Sequence, residues 1–255
     1  MPERNRETPV ETVKEAAQQA AKAETSPPLL QRYRAVLFQV ALVSALVIFA
    51  LLTFLVKTTP SFPIDIQITR AIQTIHSPFF AGLMAFISWP GFLPQSMIII
   101  LIIAFALYMF GLHWESLTSL LAAGTSSVTN ELVKQFVQRP RPAVDLVDVF
   151  AVLKSYSFPS AHVMFYMSFF GFIWYVAYTM LKRSLQRSVL LGFLGGFIIL
   201  VGVSRIYLGQ HWASDVMGAY LLGGLILAGI IFFHRWGKKR FFLHQPVMPY
   251  EPEKE

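Results

Sequence analysis

Three clusters of ionisable and hydroxyl residues interrupt the apolar second half of this chain. They are Lys134 with Arg141-Pro142, then Pro159-Ser160-Ala161-His162, then Ser204-Arg205 with His211 and Asp215. Three cations without three nearby carboxylates suit an anion, and phosphate fits best because Arg and Lys match its oxygens and charge. His211 and Asp215 are four apart, close enough to touch on one helix face. Each cluster alone has a plainer reading. Lys134 and Arg141 read as side chains snorkelling at a helix end, Ser160 as a helix cap, and the His–Asp pair as structural. A cap also leaves backbone N–H groups pointing outward, which is itself an anion site. All three together are far harder to explain as structure.

The elements that carry these clusters follow from composition. Of 255 residues, 55% are hydrophobic and only 14% are charged, too little polar surface for a soluble domain of this length. That argues against disorder, a fibre and a soluble nucleic-acid binder. The net charge of +7 then reads as basic loops at a cytoplasmic face, not as a site for a polyanion. With no cysteine, a disulfide framework, a zinc–thiolate site and a thiol nucleophile are excluded.

The expected fold class is all-α, a polytopic membrane protein built as a six-transmembrane-helix bundle. The spans are expected at about 35–56, 95–112, 117–136, 158–181, 189–203 and 212–233, each long enough or nearly so to cross about 30 Å of hydrocarbon. The span at 117–136 is the least apolar, with Gly124, Thr125, Ser126, Ser127, Thr129, Asn130 and Glu131; small and hydroxyl residues let helices approach closely. Residues 1–34 read as a mobile polar tail, although Glu11 to Glu24 has the composition of a short exposed helix, and residues 241–255 form a second tail. Ile64 to Ile75 has helical amphipathic spacing and is expected to form a helix at the membrane interface, in the segment of chain between the first two spans. Phe79 to Ile87 is apolar but too short to span, and Trp89-Pro90-Gly91 breaks it. With the N-terminus inside, fourteen of the 21 Lys and Arg fall on the cytoplasmic side and seven at the outer ends. This distribution puts both termini inside and all three clusters at the outer face.

In order and spacing, Lys134-(six residues)-Arg141-Pro142, Pro159-Ser160-Ala161-His162 and Ser204-Arg205-(five residues)-His211-(three residues)-Asp215 resemble the three-part signature of the type 2 phosphatidic acid phosphatase family. The resemblance covers roughly Lys134 to Phe233 and the six-span layout. It implies catalysis by His211 as nucleophile, Asp215 as its orienter and His162 as general acid, then base. It also implies phosphate binding by Lys134, Arg141, Ser160, the Ala161 N–H and Arg205, with no metal or other cofactor. Ala161 stands where the family usually has Gly. It keeps the backbone N–H, and it is harmless if it lies in the first helical turn and disfavoured if the position needs positive φ. The other histidines, His76, His113, His234 and His244, belong to no motif and read as loop or interface residues.

The expected substrate is a lipid phosphate or diphosphate whose head group lies at the outer interface: polyprenyl diphosphate, phosphatidate or phosphatidylglycerol phosphate. The expected partners are that substrate and membrane lipids, with no nucleic acid, and the expected setting is a bacterial cytoplasmic membrane. A lipid phosphotransferase of the same fold and a non-catalytic lipid-phosphate binding or transport protein remain as alternatives. Acceptor dependence distinguishes the first; a broken catalytic pair would mark the second, yet His162, His211 and Asp215 are all present.

Overall fold

The computed structural model describes residues 28–242. The Glu11–Glu24 segment, His244 and most of both expected tails lie outside these residues. Every regular element among the described residues is helical. They are α1 (Pro28–Thr58), α2 (Pro63–Gln73), α3 (Pro78–Ser88), α4 (Gln95–Met109), α5 (His113–Val137), α6 (Ala161–Met180), α7 (Leu185–Tyr207) and α8 (Ala213–Gly237). The chain divides into a unit ending at Ser44 and a unit beginning at Ala45. In the first, α1 shows Tyr33, Leu37, Phe38 and Val43 as exposed apolar side chains. The second unit holds everything described below.

α1, α6, α7 and α8 are long and apolar enough to cross a membrane. α3 and α4 are long and apolar enough only as a pair, bent by 62° at the break between them. Counting that pair as one span gives five. The break has a local cause: Pro90 has no N–H to continue the helical ladder, and Trp89–Gly91 closes as a 3₁₀ turn. Tyr166 Oη donates to the Ile87 carbonyl at 2.6 Å and Ser204 Oγ to the Met84 carbonyl at 2.6 Å. These buried hydroxyls pin the broken end of α3 against α6 and α7. α5 has 25 residues, about 37 Å at 1.5 Å per residue. It is less apolar than the other long helices because it buries Ser116, Thr118, Ser119, Ser126, Asn130 and Lys134 against the bundle.

The core is built around α6, where Val163, Met164, Tyr166, Phe169 and Phe170 pack against Met84, Ile87, Leu194, Val201 and Val216. A second cluster joins Leu52 and Val56 of α1 to Val137 and Phe158. Outward-facing Ile98, Leu101, Ile102 and Phe105 on α4 are exposed. Such a surface is stable when lipid, not water, lies against it.

α2 forms where amphipathic spacing predicts a helix, and Ile68 and Ile72 pack against the core as that spacing implies, but its most buried stripe is polar. Asp65, Thr69 and Gln73, one turn apart, are the buried residues, while Ile64 and Ile75 are exposed. Gln73 Nε2 donates to the carbonyls of Asp148 (2.7 Å) and Tyr207 (2.9 Å). The polar stripe therefore holds the 139–160 loop and the end of α7 in place.

Candidate active site

The three clusters meet at one end of the bundle because each sits at a helix terminus. Lys134 lies in the last turn of α5, which stops at Gln138 in the left-handed conformation (φ 57°), its N–H bonded to the Lys134 carbonyl at 2.8 Å. The chain then leaves through Arg139-Pro140-Arg141-Pro142, whose prolines cannot extend the helix. Ser160 precedes α6, and Ala161 and His162 begin it. Asn130, one turn before Lys134, donates to the Pro159 carbonyl at 3.0 Å and so ties α5 to this turn. Arg205 lies in the last turn of α7. Gly209, at φ 64°, reverses the chain where a Cβ would run into the Asp148 carbonyl. The reversal brings the His211 N–H back to the Arg205 carbonyl at 3.3 Å. Asp215 sits in the first turn of α8, where its carboxylate accepts the Trp212 N–H at 2.9 Å.

The tautomer of His211 follows from its contacts. Nε2 lies 3.2 Å from Arg141 Nη1. Arginine only donates, so Nε2 is the accepting nitrogen and the proton sits on Nδ1. Nδ1 faces Asp215 Oδ2 at 3.6 Å, beyond hydrogen-bond length, and makes no other bond. Burial, followed by the charges of Arg141, Arg205 and Lys134, holds His211 well below the ordinary histidine range. The imidazole is therefore neutral near pH 7, with its lone pair turned toward the cations.

Around it lies a concentration of buried donors with no partner: Arg205 Nε and Nη2, His162 Nε2 and Ser160 Oγ. Lys134, only 5% exposed, makes no hydrogen bond to a described residue. Its burial disfavours the snorkelling reading. Arg205 Nη1 alone is engaged, by Ser88 Oγ. Buried polar groups are almost always paired, so a cluster of this kind suits a ligand with several acceptors and negative charge. Arg141 is held beside this cluster by the Ser155 carbonyl (2.7 Å) and the Gln210 carbonyl (2.6 Å). A cavity of about 270 Å³ opens beside Lys134, lined also by Glu131, Gln135, Lys154, Ser155 and Tyr156.

The structure thus brings together Lys134, Arg141, Ser160, Ala161, His162, Arg205, His211 and Asp215. Ala161 opens the helix, and Gln138 is the only non-glycine at positive φ among the described residues. The alanine therefore sits without strain. Two features were not legible beforehand. The Trp89–Gly91 turn walls the site: Phe92 meets the His162 ring edge-on at 4.5 Å, Arg205 lies 5.2 Å from the Phe92 centroid, and a Cβ on Gly91 would strike the His162 ring. Asp215 is bonded chiefly by other groups. It accepts from Arg139 Nη1 at 2.5 Å and from Ser157 Oγ. Arg139, fully buried, also reaches Asp65 Oδ2 at 2.9 Å. His234 is no loop or interface residue: it is buried in α8 near Glu115 Oε1 (3.8 Å), at the other end of the bundle.

A model of the PAP2 superfamily matches residues 112–241. Phosphatidylglycerophosphatase B of Bacillus subtilis (strain 168) is 30% identical over 188 residues, covering 72% of this chain and 90% of that one. The crystal structure of a transmembrane PAP2-type phosphatidylglycerolphosphate phosphatase from Bacillus subtilis aligns with a TM-score of 0.68 and 26% identity, covering 76% of this chain and 96% of that one. Aquifex aeolicus LpxE shares the fold at a TM-score of 0.54 and 20% identity, over 68% of this chain and 98% of that one.

Proposed function

The chain belongs to the PAP2 superfamily, and from that premise we propose that it is an integral membrane lipid phosphatase working through a phosphohistidine intermediate. The observation that carries this reading is the set of unpartnered buried donors converging on a neutral His211. In the first step His211 Nε2 attacks phosphorus, the bond to the leaving oxygen breaks, and His162 gives that oxygen a proton. The ring becomes positive, and Asp215 on the Nδ1 side stabilises it. In the second step water attacks phosphorus, passes a proton to His162, and the P–N bond breaks to release phosphate. Lys134, Arg141, Arg205, Ser160 and the Ala161 N–H hold the non-bridging oxygens and meet the charge that grows on them. These groups supply the electrostatic role that a metal plays elsewhere, so we expect turnover in the presence of chelator.

Six spans follow if α5 crosses the membrane with its polar face inward and α3–α4 cross as one bent span. With the N-terminus in the cytoplasm, the site then lies at the outer face, as the distribution of Lys and Arg favours. α2 lies at that same end. A head group at the interface with its tail in lipid is the matching substrate. The activity for which the Bacillus subtilis relatives are named makes phosphatidylglycerol phosphate the first candidate; phosphatidate and polyprenyl diphosphate offer the same terminal phosphate. The setting we propose is a bacterial cytoplasmic membrane.

The test is release of inorganic phosphate by the purified chain in detergent from these three lipids, with and without acceptor alcohols and with chelator. Release from at least one lipid, independent of acceptor, is expected. Phosphate transferred only when an acceptor is present would replace the hydrolase reading with a transferase, and binding without turnover would replace it with a carrier.

A further inference from the structure

The carboxylate beside His211 is held by a network that reaches outside the three sequence clusters. Arg139, only 1% exposed, divides its guanidinium between two acids: Nη1 to Asp215 Oδ1 (2.5 Å) and Nη2 to Asp65 Oδ2 (2.9 Å). Nε goes to the Pro60 carbonyl at 2.9 Å. Ser214 bridges two of these groups, Arg139 and Asp65. Its hydroxyl accepts from Arg139 Nη1 (2.7 Å) and donates to Asp65 Oδ2 (2.6 Å), while its N–H donates to Asp65 Oδ1 (2.8 Å). Asp65 is itself 1% exposed and sits in the first turn of α2.

Two consequences follow. The first is geometric. Asp215 Oδ1 is fixed by Arg139, while Oδ2, which accepts from Ser157 Oγ and the Trp212 N–H, faces His211 Nδ1 at 3.6 Å. The second is electrostatic. One guanidinium shared by two carboxylates leaves the buried group one negative charge in excess, and that charge stands next to the ring that must become positive. Were Asp65 absent, Arg139 would be free to pair with Asp215 alone, and the excess would vanish.

We propose that Asp65 is a positioning residue of the reaction: through Arg139 and Ser214 it orients the Asp215 carboxylate on His211 and preserves the negative charge that balances the histidine as it takes up phosphorus. This rests on the phosphohistidine reading. It gives α2 a role in chemistry, since the buried polar stripe of that helix begins at Asp65.

The experiment uses the full chain in detergent and a radiolabelled aryl phosphate, with rapid acid-free quenching to follow phosphoenzyme. Asp65→Asn keeps the shape and removes the charge. It is expected to slow the phosphorylation rate constant about 10–100-fold, the usual cost of losing a group that orients another's ligand. The amplitude of labelled sites should stay near that of the wild type, and KM should stay within about threefold. A merely structural defect does the opposite, lowering amplitude while the surviving sites react at the normal rate; that result overturns the proposal, as does an unchanged rate constant. If Asp65→Asn does not fold, Ser214→Ala carries the test: it removes the hydroxyl between Arg139 Nη1 and Asp65 Oδ2 while the direct Arg139–Asp65 pair stays, so a smaller slowing, about three- to tenfold for one hydrogen bond, is expected at full amplitude, with a normal rate overturning the proposal. His211→Ala is run alongside. Labelling that persists there refutes the phosphohistidine reading itself, whereas wild-type labelling lost in His211→Ala but unaltered by Asp65→Asn removes only the role of Asp65.

Discussion

Replacing Arg205 by lysine separates the planar fork from the charge. Arg205 is fully buried, with Nη1 on Ser88 Oγ and with Nε and Nη2 unpartnered. In the proposed complex those two N–H groups point at non-bridging phosphate oxygens. Lysine retains one positive charge but ends in a single nitrogen on a longer, flexible stem, and it cannot present two donors in one plane. Losing two charge-assisted hydrogen bonds at about 1.5–3 kcal/mol each removes about 3–6 kcal/mol of transition-state stabilisation. At 1.36 kcal/mol per tenfold, that is a loss of about 10²–10⁴ in kcat/KM. Ser88→Ala is the control for the third contact, which does not reach the phosphate; it should cost far less, within about tenfold for one hydrogen bond. The assay is phosphate release from a lipid phosphate in micelles, with the fraction of folded protein measured by thermal melting. A folded Arg205→Lys enzyme within about fivefold of wild type would show that the unpartnered N–H groups do not serve the phosphate.

Three other outcomes follow from the same geometry. Gly91→Ala places a methyl group into the His162 ring, so kcat should fall at least about tenfold, and more for an alkyl than for an aryl phosphate, because only the poor leaving group depends on a proton from His162. Equal losses on both would mean that the Trp89–Gly91 turn does not position the acid. Val144 is exposed on the loop at the site end and Ser184 is exposed in the connection at the other end; in a chain without cysteine, Val144→Cys should react with an impermeant thiol reagent in intact cells and Ser184→Cys should not, the reverse pattern inverting the topology. His211 is held neutral in the folded state, so the unfolded chain binds more protons below its unperturbed value near 6.5. The stability it contributes is complete above that value and is lost as pH falls toward the depressed folded value. Shifting from about pH 7.5 to about 5.5 should therefore lower the melting temperature of wild type more than that of His211→Asn, and equal acid sensitivity would refute the assignment of burial as the cause.

The sequence carried the site further than it carried the scaffold. Lys134, Arg141, Ser160, His162, Arg205, His211 and Asp215 are legible because each lies at a helix end, and the spacing within each cluster is set locally. Trp89-Pro90-Gly91 is legible as a break for the same reason, since a missing N–H stops a helix whatever surrounds it. Its contact with His162 was not, because it joins residues some 70 positions apart. Asp65 shows the limit most clearly. Periodicity finds a polar stripe at Asp65, Thr69 and Gln73 but does not say which way it faces; in an isolated helix water is the natural partner, and here Arg139, Ser214 and Tyr207 replace it. Arg139 itself lay within reach, inside the run Arg139-Pro140-Arg141-Pro142, but a second arginine beside a phosphate ligand reads as another surface cation until its two acids are seen. Likewise, the four-residue spacing of His211 and Asp215 places them side by side, while the 3.6 Å gap and the competing hold of Arg139 and Ser157 on the carboxylate are tertiary facts.

The most direct test of the account is rapid-quench labelling with an aryl phosphate across wild type, His211→Ala and His162→Ala. Wild type should form a transient, acid-labile phosphoenzyme. His211→Ala should form none with any substrate, having lost the attacking nitrogen. His162→Ala should still become labelled, because a phenolate leaves without help, and should accumulate the label, because water then lacks its base. Label retained in His211→Ala, or absent from a wild-type enzyme that is turning over under the same conditions, would contradict the assignment of His211 as the nucleophile.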